Sequence, residues 1–339
     1  MPASLSHVRP LRMRHGARFH CSGDGMCCSD VHLLGPLSRL ERQLFGGIAR
    51  GVVTRSDGSA VLAVREDHSC AFLDIDGCGL HKRLGRTGKP RACWRFPFGL
   101  VATPSGGRIT TAHYCSCRTL GAPPLDLAEA ERSLGDIAGR LMADGRIEGA
   151  IPLRADASET FAGYEKREAA WIERLVSSGE DPRKLARELG SRWLSASDVL
   201  ELGDVLVRTE WRTRGGALLG WFGYGLLALA GEIGDGLPER PWSESFERAR
   251  ARATERPAHA IFADWLADVL WDLEWTSYLP LDRTLGELLV LLDVGYALAG
   301  RLEASGARAD CAAAEAVSII DMTRRSDPWR LSVAKLAGG

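Results

Sequence analysis

The spacing of hydrophobic residues divides this chain into two parts. After the break GAPPL at 121–125, apolar residues recur at helical intervals with acidic residues between them. The clearest run follows i, i+4 spacing through Ile261, Trp265, Val269 and Leu273. The pattern predicts helices at about 126–144, 159–178, 182–189, 196–231 with an interruption, 243–276, 284–304 and 311–324. The second part is therefore expected to be an all-helical domain.

The first part shows short elements joined by glycine-rich turns. The capping-box pattern SRLE predicts a helix that begins at Ser38 and runs to about Arg50. The segment SAVLAVRE at 59–66 is typical of a strand, and FGLVATP and RITTAHY, separated by SGG, predict a hairpin. Because little apolar surface repeats periodically here, this part needs another source of stability.

Neither a membrane span nor an export signal is predicted. The most apolar window, ALLGWFGYGLLALAG at 217–231, is shorter than the roughly 20 residues that cross a bilayer and predicts a buried helix. The N-terminal stretch MPASLSHVRPLRMRHGARFH lacks the apolar run of a secretory signal. We therefore expect a cytoplasmic protein, whose thiols stay reduced, without a membrane partner.

Charge follows the same division. The 339 residues are 45% apolar and carry a formal net charge of -1, but residues 1–122 contain 17 Lys or Arg against 8 Asp or Glu, and the remainder contains 26 against 36. We expect an α+β fold, mostly α, in which a cysteine-cluster metal-binding module at 1–122 packs on a helical domain at 123–339. The opposite charges of the two parts have two interpretations. The acidic helical part could hold a basic peptide, or the two parts could simply dock against each other.

Eight of the nine cysteines lie in the first part. They are Cys21, Cys27, Cys28, Cys70, Cys78, Cys93, Cys115 and Cys117. Thiolates bind zinc or iron, and close groups of ligands often come from tight turns such as HCSGDGMCC and YCSCRTLG. We predict that these eight bind metal, in a structural or a catalytic role, and the alternatives are small buried thiols or disulfides. Cys311, in an alanine-rich helix, is interpreted as a packed thiol.

Three cysteine-containing blocks occur in order over residues 19–98: FHCSGDGMCC, HSCAFLDIDGCGLHKRLG and ACWRFPF. Together they resemble the CxxCxxCC, or YkgJ-type, family of zinc- or iron-chelating proteins. The resemblance implies metal-binding roles for Cys21, Cys27, Cys28, Cys70, Cys78 and Cys93. Cys115 and Cys117 lie outside the blocks and are candidates to complete the ligand set. Asp24 stands where the family usually has a cysteine, so it either leaves an iron position labile or does not coordinate.

The same blocks also resemble the flagellin lysine N-methylase family, above all in CGLHKRLG. That resemblance implies an iron-sulfur cluster, such as 4Fe-4S, and S-adenosylmethionine as cofactors. No GxGxxG, P-loop, GxSxG or HExxH motif occurs, so a conventional S-adenosylmethionine fold is not expected and catalytic residues stay unassigned. Our first hypothesis is an iron-sulfur or iron protein that modifies a protein or peptide, such as a lysine N-methyltransferase. The alternative is a zinc-stabilised binding protein without catalysis.

A basic run lies between Cys78 and Cys93 and just beyond. It consists of Lys82, Arg83, Arg86, Lys89, Arg91 and Arg95. We interpret it first as compensation of an anionic thiolate cluster, with a solvated face or capture of a phosphate or carboxylate as alternatives. Nucleic acid is not expected as a partner, because the whole chain is not basic. His81 and His113 are further candidate ligands. Residues expected to shield the site from water are Trp94, Phe96 and Phe98.

Overall fold

Strands and short helices give way to long helices along the chain. The computed structural model describes residues 8–48, 51–75, 77–85, 88–136, 138–233, 236–251 and 255–338. Helix accounts for 53% and strand for 13%, which confirms an α+β fold that is mostly α. The long helices begin at residue 161, after the change in hydrophobic spacing.

The N-terminal part contains short elements. Its strands are β1 (Leu11–Met13), β2 (Val52–Thr54), β3 (Ala60–Leu62), β4 (Leu73–Asp74), β5 (Gly77–Cys78), β6 (Phe98–Thr103), β7 (Gly106–Thr111) and β8 (Gly145–Arg146). Its helices are α1 (Arg39–Gly46), α2 (Gly79–Leu84), α3 (Arg91–Arg95), α4 (Ser116–Thr119) and α5 (Leu127–Leu134). A strand pair leads into the helical part: β9 (Ile151–Arg154) and β10 (Ala157–Glu159).

A four-stranded sheet in the order β1-β7-β6-β8 forms the centre of this part. β6 and β7 are antiparallel with Leu100 opposite Ile109, so the predicted hairpin is confirmed. β1 runs parallel to β7, and β8 runs parallel to β6. The hairpin turns at Gly106, where φ is +120° and a Cβ atom would lie 2.3 Å from the carbonyl oxygen of Pro10. Only glycine fits this turn without strain.

Local signals predict the start of α1 well and its end less well. The predicted capping box forms at Ser38. The helix ends at Gly46, because successive glycines are poor helix formers, and the predicted end near Arg50 lies outside the described residues. Of the strand predicted at 59–66, only Ala60–Leu62 pairs in a ladder, with β2.

The C-terminal part is built from helices. They are α6 (Phe161–Ser177), α7 (Pro182–Leu189), α8 (Ala196–Arg208), α9 (Arg214–Leu229), α10 (Ser243–Arg250), α11 (Ala258–Asp272), α12 (Leu281–Ala304), α13 (Ala309–Arg325) and α14 (Asp327–Gly338). α7 has the predicted bounds, and the interruption expected within 196–231 falls between α8 and α9.

Two helix predictions were wrong in length, and α14 was not predicted. The segment 243–276 is not one helix, because Pro257 starts α11 afresh and the chain turns at Leu273 with a φ of 57°. The helix predicted at 126–144 stops at Leu134, since Gly135 adopts an extended conformation. Helical periodicity alone did not reveal these breaks.

Residues beyond 122 complete the N-terminal sheet. β8 pairs with β6, and Leu125 and Leu134, at either end of α5, pack with Phe98 and Leu100 of β6. Residues 125–146 therefore pack with the first part, whereas hydrophobic spacing divides the sequence at 122.

The largest apolar core lies among the long helices. Trp221, Phe222 and Leu226 of α9 are buried in it, which confirms the buried helix predicted at 217–231. In the described part of the chain, no helix is both long and apolar enough to cross a membrane.

Two acidic side chains of α11, Asp264 and Asp268, bind the N-terminal part, whereas Asp272 pairs with Arg324 of α13. Asp264, Asp268 and Asp272 follow i, i+4 spacing and are buried. Arg118 of α4 donates to Asp264 at 2.8 Å and to Asp268 at 2.6 Å. Buried Arg14 contacts the same two carboxylates. At this helix, the opposite charges of the two parts serve to dock them.

Candidate functional site

All nine cysteines are free thiols, and eight of them form two groups. The sheet thiols are Cys21, Cys115 and Cys117, of which the last two pack in the apolar cluster of the main sheet. The cavity thiols line one small cavity and are Cys27, Cys28, Cys70, Cys78 and Cys93. Folding thus gathers the predicted metal ligands from distant segments into two neighbouring groups.

The cavity thiols surround a space of about 20 Å³. The backbone N–H of Cys70 donates to the carbonyl of Cys28 at 2.8 Å, which joins two of the segments. The apolar part of the wall comes from Leu34, Leu62, Phe72 and Leu80. A space of this volume holds one ion or one water molecule.

Lys89 supplies a positive charge in the wall of this cavity. Burial opposes its charge, but the nearby thiols, Cys27 most strongly, raise the pKa of the Lys89 ammonium overall. Arg95 is used elsewhere, since it pairs with Asp144 at 2.5 Å, and Arg86 lies outside the described residues. In the described part of the basic run, Lys89 is thus placed to compensate these cysteines when they are thiolates.

Asp24 is in contact with the sheet thiols and is 3% exposed. The thiol of Cys117 donates to its Oδ2 at 2.9 Å, and the hydroxyl of Ser116 donates to the same oxygen at 2.5 Å. The backbone N–H of Met26 donates to Oδ1 at 2.8 Å. The residue that stands where the resemblance expects a cysteine therefore faces the thiols.

Mutual contact and burial favour the protonated form of Cys21 and Cys27, and burial favours that of Cys93. Hydrogen bonding to Cys117, together with burial, raises the pKa of Cys21 far above its ordinary value. Hydrogen bonding to Cys28 and burial do the same for the pKa of Cys27, and burial raises the pKa of Cys93. A bound metal cation would reverse this preference, because it stabilises the thiolate.

The sulfur atoms of the two groups are suitable metal ligands, but they are not arranged in a preformed metal site. Among the described residues, no three or more His, Cys, Asp or Glu side chains are arranged to hold a metal ion. Thiolates nevertheless favour zinc and iron-sulfur clusters, and each ligand must be deprotonated before it binds. Metal binding therefore requires these side chains to lose their protons and turn toward a common centre.

A cleft of about 700 Å³ opens between the two parts of the chain. Its aromatic wall contains His32, which stacks on Phe96 with ring centroids 4.3 Å apart, and Tyr114, whose ring lies 5.4 Å from that of Phe96. Its charged wall contains Glu274, which pairs with Arg325 at 2.6 Å. The volume is that of a small-molecule site.

His32 and Tyr114 connect this cleft to the thiols. Nε2 of His32 lies 3.1 Å from the carbonyl oxygen of Cys27. Burial lowers the pKa of His32, so its ring is neutral at neutral pH. Tyr114 precedes Cys115 in the chain, and burial raises the pKa of its phenol to about 12. Each group of thiols thus has a neighbour in the aromatic wall.

Of the candidate histidine ligands, His113 is engaged elsewhere and His81 is exposed. Nε2 of His113 lies 2.9 Å from Asp268, and its backbone N–H donates to Asp321 at 2.7 Å. His113 therefore belongs to the docking contacts around α11. His81 is exposed on α2, and Cys311 is buried in α13 as a packed thiol.

Of the aromatic residues expected to shield the site, two have specific partners. Phe98 packs against Phe19 in the sheet with centroids 5.0 Å apart, close to the sheet thiols. Phe96 lies in the cleft wall against His32. Trp94 is half-buried.

Sequence reasoning missed the cleft. His32 and Tyr114 stand close to predicted cysteines and could have been noticed for that reason. Glu274 and Arg325 come from the helical part, so no local signal connects them with the cysteine blocks.

Comparison with known proteins adds no relative. No protein-family model, no curated protein and no solved structure matches this chain. The two family resemblances therefore stay predictions.

Proposed function

We propose that this chain is a cytoplasmic iron-sulfur or iron protein that modifies a protein or peptide, with N-methylation of lysine as the most concrete version. The observation that carries the proposal is that eight free thiols gather into two groups, each linked to the wall of the cleft of about 700 Å³, through the contact of Cys27 with His32 and through Tyr114, which precedes Cys115. Thiolates are the ligands of iron-sulfur clusters, and a cleft of this size accommodates a cofactor or a substrate side chain. A reducing cytoplasm keeps the ligands available as thiols.

The cleft suits S-adenosylmethionine by its chemistry. Its aromatic wall, with His32 and Phe96, would stack on a purine base. Arg325 and Arg330 both pair with Glu274, so they would bind a carboxylate in exchange for this partner. When bound, this cofactor supplies an electrophilic methyl group. The residues of this wall would bind and orient the cofactor.

A zinc-stabilised binding protein without catalysis is the second candidate. The cavity of about 20 Å³ favours it, because that volume suits a single ion. The surrounding elements are short, and a structural zinc contributes roughly 10 to 16 kcal/mol of apparent binding energy in zinc-finger peptides. Such a site would support a part of the chain with little apolar core.

The two candidates are distinguished by measuring metal and acid-labile sulfide in protein that was purified without oxygen. Iron with stoichiometric sulfide and a brown colour supports the iron-sulfur proposal. Colourless protein with zinc and no sulfide supports the second candidate. Both candidates are refuted if the purified protein holds no tightly bound metal and if reconstitution with iron and sulfide or with zinc also fails.

Calorimetric titration with S-adenosylmethionine tests the methylation version. Phe96→Ala should weaken binding by roughly 2- to 13-fold, because a stacking contact contributes roughly 0.5–1.5 kcal/mol. Leu331→Ala is the control, since Leu331 is 71% exposed. No binding by the wild type, or equal affinity in wild type and Phe96→Ala, would refute this use of the cleft.

A further inference from the structure

We infer that the thiols form two separate metal sites, a sheet site of Cys21, Cys115, Cys117 and the Asp24 carboxylate, and a cavity site built from the cavity thiols. The inference rests on the proposed metal binding and adds to it a second centre and an oxygen ligand. It follows from how the two groups are packed, from the contacts of Asp24 and from the number of donors in each group.

The two groups belong to different apolar clusters. Cys115 and Cys117 pack with residues of the main sheet such as Phe98. Cys70 is buried in a second cluster with Phe72 and Leu80, against which Cys28, Cys78 and Cys93 also pack. A single centre would need ligands from both clusters, whereas one cluster presents Cys115 and Cys117 and the other presents Cys28, Cys70, Cys78 and Cys93. Cys21 and Cys27 belong to neither cluster: Cys21 is hydrogen-bonded to Cys117, and Cys27, hydrogen-bonded to Cys28, lies near enough to interact with Cys21.

Asp24 is a buried carboxylate that has no cationic partner among the described residues. It is 3% exposed, and within the described part of the chain its carboxylate forms no ion pair. Arg248, the nearby cation, donates instead to the backbone carbonyl of Asp24, at 2.8 Å. A buried charge is costly unless it is paired or coordinates a metal. Its thiol and hydroxyl donors, Cys117 and Ser116, make this carboxylate a member of the sheet group.

The number of donors fits one centre in each group. Three sulfur atoms and one carboxylate make four ligands at the sheet site, which is the number for a tetrahedral zinc ion or for a cluster with one ligand per iron. The five cavity thiols exceed that number by one. The backbone carbonyl of Cys27 contacts His32 of the cleft, so Cys27 links the cavity site to the cleft.

Paired substitutions in the full-length chain test the inference. Cys115→Ser with Cys117→Ser removes the sheet site, and Cys70→Ser with Cys93→Ser removes the cavity site. Each double variant should keep about half of the wild-type metal content, because the sites bind independently. Cys311→Ala is the matched control, since Cys311 is a buried thiol outside both groups. Its metal content should equal that of the wild type.

The outcomes separate this inference from the proposed function. Loss of all metal in either double variant, with metal present in the wild type, overturns the two-site arrangement and leaves metal binding intact. A wild type that takes up no metal overturns both. Half occupancy in each double variant supports two sites.

A second measurement does not depend on the folding of the double variants. Asp24→Cys keeps four donors at the sheet site and makes all of them sulfur. Titration of metal-free Asp24→Cys with Co²⁺ should give stronger thiolate-to-metal absorption than the wild type at equal occupancy, and Asp24→Ala should bind Co²⁺ more weakly at one site. Identical spectra and stoichiometry in all three proteins would overturn the role of Asp24 as a ligand.

Discussion

Replacing Arg118 by methionine should destabilise the contact between the two parts of the chain. The Arg118 guanidinium is fully buried and donates to Asp264 at 2.8 and 3.1 Å, to Asp268 at 2.6 Å and to the hydroxyl of Thr111 at 2.7 Å. Hydrogen bonds to charged groups contribute roughly 1.5–3 kcal/mol each. Methionine fills similar space but leaves these acceptors without their donor.

The expected loss is less than the sum of these bonds, because the two carboxylates keep other partners. Arg14 contacts both of them, and Arg256 lies 3.4 Å from Asp264. We therefore expect Arg118→Met to lower the free energy of unfolding by about 3–5 kcal/mol, the usual cost of breaking a buried ion pair. Denaturant unfolding at neutral pH measures this difference.

Arg208→Met is the matched control. Arg208 pairs with Asp204 on the surface of α8 at 2.7 Å, with side chains 78% and 48% exposed. An exposed helical pair of this kind contributes about 0.3–0.5 kcal/mol. If Arg118→Met cost no more than this control, the reasoning about the buried contacts would be wrong.

The pH dependence provides a second check on Arg118. Although burial opposes ionisation, Arg118 and Arg14 hold the pKa of Asp268 well below its ordinary value. The resulting stabilisation is present above the unfolded pKa of about 3.9 and is lost as pH falls through the lower folded pKa. The wild type should therefore exceed Arg118→Met in stability most at neutral pH and less toward pH 3. A difference that does not change with pH would contradict this account.

Further predictions concern the helical part and the bound metal. Burial raises the pKa of Glu287 to about 7 despite the hydrogen bond from Trp329, so this one carboxyl should contribute a downward slope to wild-type stability of about 3 kcal/mol between pH 4 and pH 8. Glu287→Gln should lose that slope in denaturant unfolding, and an unchanged slope would refute the assignment. Gly286→Ala should destabilise α12, because its Cβ would lie 2.0 Å from the carbonyl of Ser191, whereas Gly300→Ala, with open space around it, should stabilise the same helix by about 1 kcal/mol. Thermal unfolding checks both signs, and equal shifts would contradict the packing argument. Removal of metal by a chelator under reducing conditions should lower the unfolding midpoint, and an unchanged midpoint would argue against a metal that supports the first part.

Several features of the fold could be predicted from short stretches of sequence. The capping box at Ser38 and the bounds of α7 at Pro182–Leu189 are local, because a few neighbouring residues satisfy the first backbone N–H groups of each helix. The breaks at Leu134 and before Ala258 were missed, since apolar residues continue in a helical pattern beyond them.

The candidate site was predictable in its residue types and not in its arrangement. The eight cysteines were identified from their clustering and from the cysteine blocks. Their division into sheet thiols and cavity thiols depends on packing between distant segments, and the same is true of the cleft wall, where His32 meets Phe96. No local pattern records which segments meet.

The sequence alone determined the helical periodicity, the capping signals, the hairpin and the supply of thiols, because each depends on the geometry and chemistry of neighbouring residues. Only the tertiary structure decided that Asp264 and Asp268 of α11 are buried against Arg118 and Arg14, and that Asp24 contacts Cys117. Such pairings join residues more than 90 positions apart, and they form when folding buries the apolar surface that brings their segments together.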